Sequence, residues 1–302
     1  MKRLMMIVCA AALGCLGTSL SLNAQTPRKV KMTIPVVAHS MTPVYIAQSK
    51  GFFAEEKLEP DITSTGGGGP DIRALIAGDV EFSFTTGDNV ILAQQEGKRL
   101  LMVMSGLNKV FINWAMHKEA AKAKGVTESM PLAEKIKTLK GLTIGVTNPG
   151  ALTAHKVDVA LTAPPVPETA ISRGFAIMFI NNAKGEDPSI PEFLMENLIA
   201  RPETVAKDPD LVRRMVRALT KANQWALKST PEQVADALKP FMAKTPPELL
   251  LAGAAAVLPT LSPDGRTSER SFQTTQEILE QAGLLKKRVS YSELVTNEFL
   301  AK

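Results

Sequence analysis

Four polar or glycine-rich turns follow stretches typical of buried β-strands, and their side chains could hold a small ligand. They occupy residues 39–42, 65–68, 85–89 and 147–153. Ligands of open α/β sheets bind beyond the carboxyl ends of the strands. Three of these turns also open helices, whose free N–H groups favour an anion such as sulfonate, nitrate or carboxylate. The candidate binding residues are therefore His39, Ser40, Met41, Thr42, Gly66, Gly67, Gly68, Thr85, Thr86, Thr147 and Asn148.

Each turn also has a purely structural interpretation. Ser40 and Thr42 can act as helix caps before Pro43, and Gly66–Gly69 can be a flexible turn. The glycine run is not a P-loop, because no Gly-Lys-Ser/Thr follows it. The three histidines are scattered and lack the spacing of a metal-binding helix. We therefore expect no metal, no cofactor and no catalytic residue.

The first 24 residues have the pattern of a secretory leader. A short basic start precedes the apolar run Leu4–Gly14, which is too short to span a bilayer as a stable helix. Cleavage after Ala24 fits the small residue at that position. A lipid anchor at Cys15 is the alternative, but Ala12 stands where such sites usually have leucine. We favour ordinary cleavage and expect the mature protein in the periplasm.

Removal of this leader leaves a chain without cysteine, because Cys9 and Cys15 both lie inside it. Disulfides, thiolate metal sites and a thiol nucleophile are thereby excluded from the mature protein. The formal net charge falls from +5 to about +3, and aromatic residues make up only 5% of the sequence. Nucleic-acid binding is therefore not expected.

Predicted strands and helices alternate through the first 200 residues, which indicates parallel sheets with helices on their faces. Strand candidates at residues 31–38, 80–84, 142–146 and 157–161 each end in a polar or proline-containing turn. From Pro202 onward the pattern is helical, with an amphipathic stretch at Asp210–Lys228. The sequence predicts lobe one at residues 25–108, lobe two at 109–200, and C-terminal helices at 201–302 that pack back mainly on lobe one.

The two predicted lobes repeat one pattern, with a piece missing from the second. Residues 80–86 match 157–163 in pattern, and residues 33–40 parallel 143–150. The paired strands are separated by 41 positions in the first lobe (39–79) and by only 10 in the second (147–156). A parallel crossover needs a dozen residues or more. The second lobe therefore lacks about one helix–strand–helix unit, and we place the deletion near residues 154–156.

The order and spacing of several short motifs resemble those of the periplasmic substrate-binding proteins of ABC importers. The branch that the sequence resembles most is the nitrate, sulfonate and taurine group, which includes relatives that bind a thiamine-precursor pyrimidine. The matching pieces are PVYIA at 43–47, KGFF at 50–53, GGG at 66–68, AGDVEF at 77–82, LKGLTIGV at 139–146, PP at 164–165 and VSYSELVTNEFL at 289–300. The resemblance covers nearly the whole mature chain apart from the missing unit.

This resemblance implies an α/β fold of two lobes, the type II periplasmic-binding-protein fold, with a shortened second lobe. It also implies a receptor rather than an enzyme. Such a receptor would capture a small anionic or polar organic solute in the interlobe cleft and deliver it, as a monomer, to an ABC permease in the inner membrane. Two alternatives stay open: a degenerate or non-transport sensor or interaction protein on the same fold, and an enzyme that resembles pyrimidine synthases.

Overall fold

The computed structural model describes residues 26–146, 152 and 154–301, and its strands form two sheets. The predicted leader and the candidate residues Thr147 and Asn148 lie outside the described residues. The first sheet has the order β2-β1-β3-β9-β4. Its strands are β1 (Arg28–Ile34), β2 (Leu58–Ser64), β3 (Phe82–Thr86), β4 (Leu101–Ser105) and β9 (Glu196–Ala200).

Strand β9 is the antiparallel member of the first sheet. β1 pairs in parallel with β2 and β3, whereas β9 pairs antiparallel with both β3 and β4. The sequence pattern predicts that lobe two extends over residues 109–200, but the chain returns to the first sheet at Glu196. An apolar strand pattern shows that a strand is buried, and it does not show which sheet the strand joins.

The second sheet has the order β6-β7-β5-β8. Here β5 is the inserted antiparallel strand, and β6 runs parallel to β7. Two segments, residues 106–112 and 181–195, therefore cross between the sheets. The strands are β5 (Asn113–His117), β6 (Ile144–Val146), β7 (Val159–Thr162) and β8 (Ala176–Ile180).

The two sheets correspond strand by strand, except at one edge. β6, β7, β5 and β8 occupy the places of β1, β3, β9 and β4, and among the described residues no strand of the second sheet takes the place of β2. Residues 35–81 connect β1 to β3, but only residues 147–158 connect β6 to β7. As a consequence β6 is an edge strand, and Ile144 and Val146 are 45% and 64% exposed.

Helices cover both faces of the first sheet, so its central strands are buried on both sides. One face packs against α1 and the C-terminal helices, with Phe82, Phe84 and Leu198 in its core. The other face packs against the helices that follow β2 and β3 and against the C-terminal helix Glu269–Gln281, with Leu75 and Ile199 in its core. The helices that follow the first three strands are α1 (Thr42–Ser49), α2 (Phe52–Glu55), α3 (Gly68–Ala77) and α4 (Asp88–Gln95).

The second sheet is covered by shorter helices and has a smaller core. Met116 and Phe179 lie in the core on one face, and Ala115 and Ala160 lie in the core on the other. Among the described residues, the helices of this lobe with described bounds are α5 (Lys118–Lys124), α6 (Leu132–Thr138) and α7 (Val166–Ser172).

The C-terminal region is helical, as its sequence pattern predicts. In the longest helix, α9, the residues Leu211, Met215 and Leu219 recur at helical spacing and are buried, and the Asp208 carboxylate caps the N–H of Leu211 at 2.9 Å. The six helices are α8 (Pro202–Lys207), α9 (Pro209–Leu227), α10 (Pro231–Leu238), α11 (Pro247–Val257), α12 (Glu269–Gln281) and α13 (Tyr291–Leu294).

These helices pack on both lobes. α9 and α10 contact α1, and α12 contacts α4. α11 contacts the 3₁₀ turn His39–Met41 of the first lobe and also α7 of the second lobe, so it bridges the two. Within the described part of the chain, no helix has both the length and the apolar character needed to cross a membrane.

Candidate ligand-binding site

The carboxyl ends of β1, β2 and β3 lie together at one end of the strands of the first sheet, the first-lobe edge. Most of the sequence-predicted residues lie at this first-lobe edge. Glu196 joins them, because β9 runs antiparallel and its first residue pairs with Thr86, the last residue of β3. In the second lobe β7 ends at Thr162, and the next residue, Ala163, packs against the core of the first lobe. The edge therefore lies on the side of lobe one that faces lobe two.

The glycine run forms a tight turn that carries the chain from β2 into α3. Gly66 has a φ of +89°, in the region that favours glycine, and its N–H donates to the Pro35 carbonyl at 3.0 Å. A Cβ on Gly68 would lie 2.7 Å from Asn89 Nδ2 and 3.1 Å from Thr85 Oγ1. The absence of a side chain at Gly68 thus lets the start of α3 approach the start of α4.

This close approach gives a test of the local packing. We expect Gly68→Ala to lower the free energy of unfolding by about 1–2 kcal/mol, because the added methyl group overpacks the contact with Asn89 and Thr85. The matched control is Gly67→Ala, whose Cβ would meet only Pro70 Cδ, at an ordinary 3.7 Å. Urea denaturation of both variants measures the difference, and equal midpoints would contradict the contact.

Asp71 lies beneath the glycine turn and is fully buried. Its Oδ1 accepts a hydrogen bond from the Thr65 hydroxyl at 2.7 Å, whereas Oδ2 has no hydrogen-bond partner. The hydroxyls of Thr33 and Thr85 lie close enough to favour the charged form, although neither makes a hydrogen bond of ordinary length. Burial dominates and raises the pKa of Asp71.

Glu196 is the carboxylic acid at the centre of this edge, and its residue is only 3% exposed. Alternate residues of a strand share a face, so Glu196 points to the same side as Leu198, toward Ser40. Burial raises the pKa of Glu196 to about 8; the Ser40 hydroxyl lowers it, and the negative charges of Asp88 and Asp71 raise it further. Its Oε2 atom is buried and has no hydrogen-bond partner.

The sequence analysis missed Glu196. The available signal was an acidic residue inside the otherwise apolar stretch FLMENLIA at 193–200. A carboxyl group in a buried strand is rare unless it is paired or functional.

The predicted residues 39–42 form a buried 3₁₀ turn and the start of α1. The His39 ring packs on Gly253 of α11, its Nε2 lies 3.2 Å from the Leu250 carbonyl, and burial lowers its pKa. Met41 belongs to the hydrophobic core. The Thr42 hydroxyl donates to the His39 carbonyl at 2.6 Å. Of these four side chains, only that of Ser40 interacts with Glu196.

Thr85 and Thr86 point to opposite faces at the end of β3. The Thr85 hydroxyl is buried without a partner, and the Thr86 hydroxyl accepts a hydrogen bond from Asn89 Nδ2 at 2.6 Å. Asn89 is thereby fixed in the first turn of α4, beside Gly68. The structure therefore brings Ser40, the glycine turn, both threonines and Glu196 to one edge.

The second lobe contributes a separate polar pair near its own strand ends. Asn113 Nδ2 lies 3.4 Å from Glu168 Oε1, and burial raises the pKa of Glu168. A cavity of about 510 Å³ lies between this lobe and α11. Its lining consists of Glu128, Glu168, Ile171, Ser172, Met178, Asn181, Lys184, Glu186, Ala252, Ala255 and Ala256.

The arrangement is suited to binding rather than to metal chemistry. In the part of the chain that the structure describes, no group of three His, Cys, Asp or Glu side chains is placed to hold a metal ion. The first-lobe edge instead presents hydroxyls and buried carboxyl oxygens, which form hydrogen bonds with a polar solute.

Two crossing segments join the two sheets, and each sheet contains one inserted antiparallel strand. This arrangement defines the two-lobed fold of periplasmic binding proteins, and solved structures show the same fold. The aliphatic sulphonate-binding protein SsuA of Escherichia coli matches with a TM-score of 0.66 at 14% identity, over 87% of this chain and 96% of that one. The ligand-binding component of an ABC-type import system of Staphylococcus aureus matches with a TM-score of 0.68 at 14% identity, over 90% and 97%. The predicted fold class is thereby confirmed.

Sequence comparison gives a match to a family model over part of the chain. Residues 38–154 match the family described as NMT1/THI5 like, which confirms the predicted resemblance. YtlA of Bacillus subtilis (strain 168), a presumed binding protein, is 23% identical over 328 residues that cover 95% of this chain and 96% of YtlA. The aligned stretch is longer than this chain, so YtlA contains residues that this chain lacks. An enzyme, the desulfurization enzyme DszB, also shares the fold, with a TM-score of 0.61 at 14% identity.

Proposed function

We propose that the protein is the solute receptor of an ABC-type importer, exported after cleavage of its leader. It binds a small polar organic solute at the first-lobe edge, between the two lobes, and presents the solute to a permease in the inner membrane. The observation that carries this proposal is the buried pair of Ser40 and Glu196 at the carboxyl-end edge of the first sheet, where Glu196 Oε2 has no hydrogen-bond partner. The similarity to ligand-binding components of import systems supports it.

A binding role without chemical conversion fits the composition of the edge. A nucleophile activated by a neighbouring base is the usual mark of covalent catalysis. His39, which precedes Ser40 in the chain, instead directs its ring to Leu250 and Gly253 of α11. We therefore favour a receptor over an enzyme, although DszB shows that the fold also supports catalysis.

The test is ligand-induced stabilisation of the mature protein. A ligand at about 100 times its Kd raises the free energy of unfolding by about 2.7 kcal/mol, which corresponds to a rise in Tm of several degrees for a chain of this size. The panel should contain sulfonates, nitrate, carboxylates, pyrimidines and amines. At least one member should raise the Tm, and the same shift should shrink in Ser40→Ala. A flat response across the panel would contradict the receptor proposal.

A second candidate, a sensor or interaction protein on the same fold, is favoured by one observation. The short connection at residues 147–158 leaves β6 as an exposed edge strand, so the second lobe differs from the first where a partner could dock. Solute uptake by cells that contain or lack the protein separates the candidates. A sensor binds its solute without changing the uptake rate.

A further inference from the structure

The helix starts at the first-lobe edge already carry negative charges of this chain. Asp71 lies in the first turn of α3, and Asp88 is the first residue of α4. Carboxylates at these positions interact favourably with the positive end of the helix dipole and offset its charge. An external anion would therefore meet helix starts that are already neutralised, and it would approach two negative charges. This removes the argument by which the sequence predicted an anionic solute.

The charges around Glu196 have the same sign. The two charges that act on it, Asp88 and Asp71, are both acidic and both raise its pKa. Ser40 on the 3₁₀ turn is its polar neighbour. The adjacent His39 directs its ring to α11, and burial lowers its pKa, which keeps it neutral. Among the groups that act on Glu196, none supplies a compensating positive charge.

Besides the hydroxyls of Thr33 and Thr85, which can donate or accept, three unpartnered oxygens lie at this edge. Asp71 Oδ2, Glu196 Oε2 and Asn197 Oδ1 are buried, and each lacks a hydrogen-bond partner. An ionised carboxylate accepts hydrogen bonds and donates none, and a neighbouring positive charge favours that form of Glu196. A buried acceptor without a donor carries a desolvation penalty of about 1–3 kcal/mol. A bound group with N–H donors would remove such a penalty, whereas a sulfonate or nitrate would add further acceptors.

From this arrangement we infer that the solute carries a basic nitrogen group, an amine or an amidine, which binds between Ser40 and the Glu196 carboxylate. The inference rests on the proposed receptor function and names the chemical class of its ligand. The positive group pairs with Glu196, and its N–H donors reach the carboxyl oxygens. The rest of the solute lies between the lobes.

Binding of a cation at this position has a measurable proton balance. With its raised pKa, Glu196 holds a proton in the unliganded protein at pH 7. A neighbouring positive charge favours the ionised form, so the carboxyl releases its proton to the buffer when the cation binds. Benzamidine and butylamine remain protonated throughout, so a proton released near pH 7 comes from the protein.

Calorimetric titration of the mature protein at pH 7, in phosphate and in Tris, measures both affinity and proton release. The probes are benzamidine and butylamine, with benzenesulfonate and butanesulfonate as acidic partners of the same carbon skeletons and benzamide as the neutral one. We expect a basic probe to bind with release of close to one proton, and the sulfonates not to bind. In Glu196→Gln the affinity for that probe should fall at least tenfold and the proton release should vanish.

The control is Glu203→Gln, which removes a carboxylate from the exposed surface of α8 and should leave affinity and proton release unchanged. Circular dichroism checks that the Glu196 variant is folded. Binding of a sulfonate, or unchanged binding of a basic probe by Glu196→Gln, would overturn the inference. If only acidic or neutral solutes bind, the receptor proposal stands and the ligand class is wrong. If no solute of any class binds, the receptor proposal itself fails.

Discussion

Replacing Phe84 with alanine is expected to lower the free energy of unfolding by about 3–5 kcal/mol, the usual effect of deleting a buried aromatic ring. Phe84 is fully buried in β3, a strand that pairs with β1 on one side and β9 on the other. Its ring fills the space above Gly106, where a Cβ would collide with the ring atoms. Urea denaturation measures the loss, and the control is Phe175→Ala at a site that is 41% exposed.

A double-mutant cycle with Gly106 makes the same prediction specific. Gly106→Ala alone should destabilise the protein by about 1–3 kcal/mol, because the methyl group overpacks the ring of Phe84. In the Phe84→Ala background the same substitution has room and should cost little. A coupling energy of at least about 1 kcal/mol is expected. Strictly additive effects would show that the ring and the glycine are not in contact.

This packing matters for the site because Gly106 also holds the first residue of β9. The N–H groups of Gly106 and Leu107 both donate to the Glu196 carbonyl, at 2.7 Å and 3.0 Å. The ring of Phe84 thus packs against Gly106, whose N–H helps to fix the backbone of Glu196. A loss of packing there should weaken ligand binding as well as stability.

Local patterns were sufficient to predict one half of the site. Thr85, Thr86 and the glycines at 66–68 follow buried strands directly, and the structure places them at the strand ends. In parallel strands that are consecutive in the chain, such ends meet at one edge of the sheet. The repeated local sequence of strand, turn and helix predicts two α/β halves, and the resemblance to periplasmic substrate-binding proteins implies that they form two lobes.

The other half depends on contacts between distant parts of the chain. Glu196 reaches the site only because β9 inserts antiparallel beside β3, and the pairing with Thr86 joins positions more than a hundred residues apart. His39 faces away from the edge because Leu250 and Gly253 of α11 receive its ring. No short-range periodicity specifies either pairing. The prediction of an anionic or polar solute rests on the helix starts and on the resemblance to nitrate- and sulfonate-binding proteins, and neither contains the relation of the helix starts to Asp71, Asp88 and Glu196.

The second large effect is a pH-dependent gain of stability in Glu196→Gln. In the folded protein the pKa of Glu196 is about 8, and in the unfolded chain it returns to its ordinary 4.5. Between these values the folded state retains a proton that the unfolded state releases, so stability falls as the pH rises. The loss is complete once the pH exceeds the folded pKa, and it amounts to about 5 kcal/mol.

Glutamine resembles the protonated acid in shape and cannot ionise, so the variant escapes this loss. Urea denaturation at pH 5, 6.5 and 8 should give a difference of less than about 1 kcal/mol at pH 5, which grows to about 4 kcal/mol in favour of the variant at pH 8. Taking the difference cancels the contribution of His39, whose lowered pKa acts in the opposite direction. Glu203→Gln should remain parallel to the wild type. The stability of Glu196→Gln could instead remain parallel to that of the wild type at all three pH values. The Glu196 carboxyl of the wild type is then ionised in the folded protein, and a positive group within the chain balances its burial penalty.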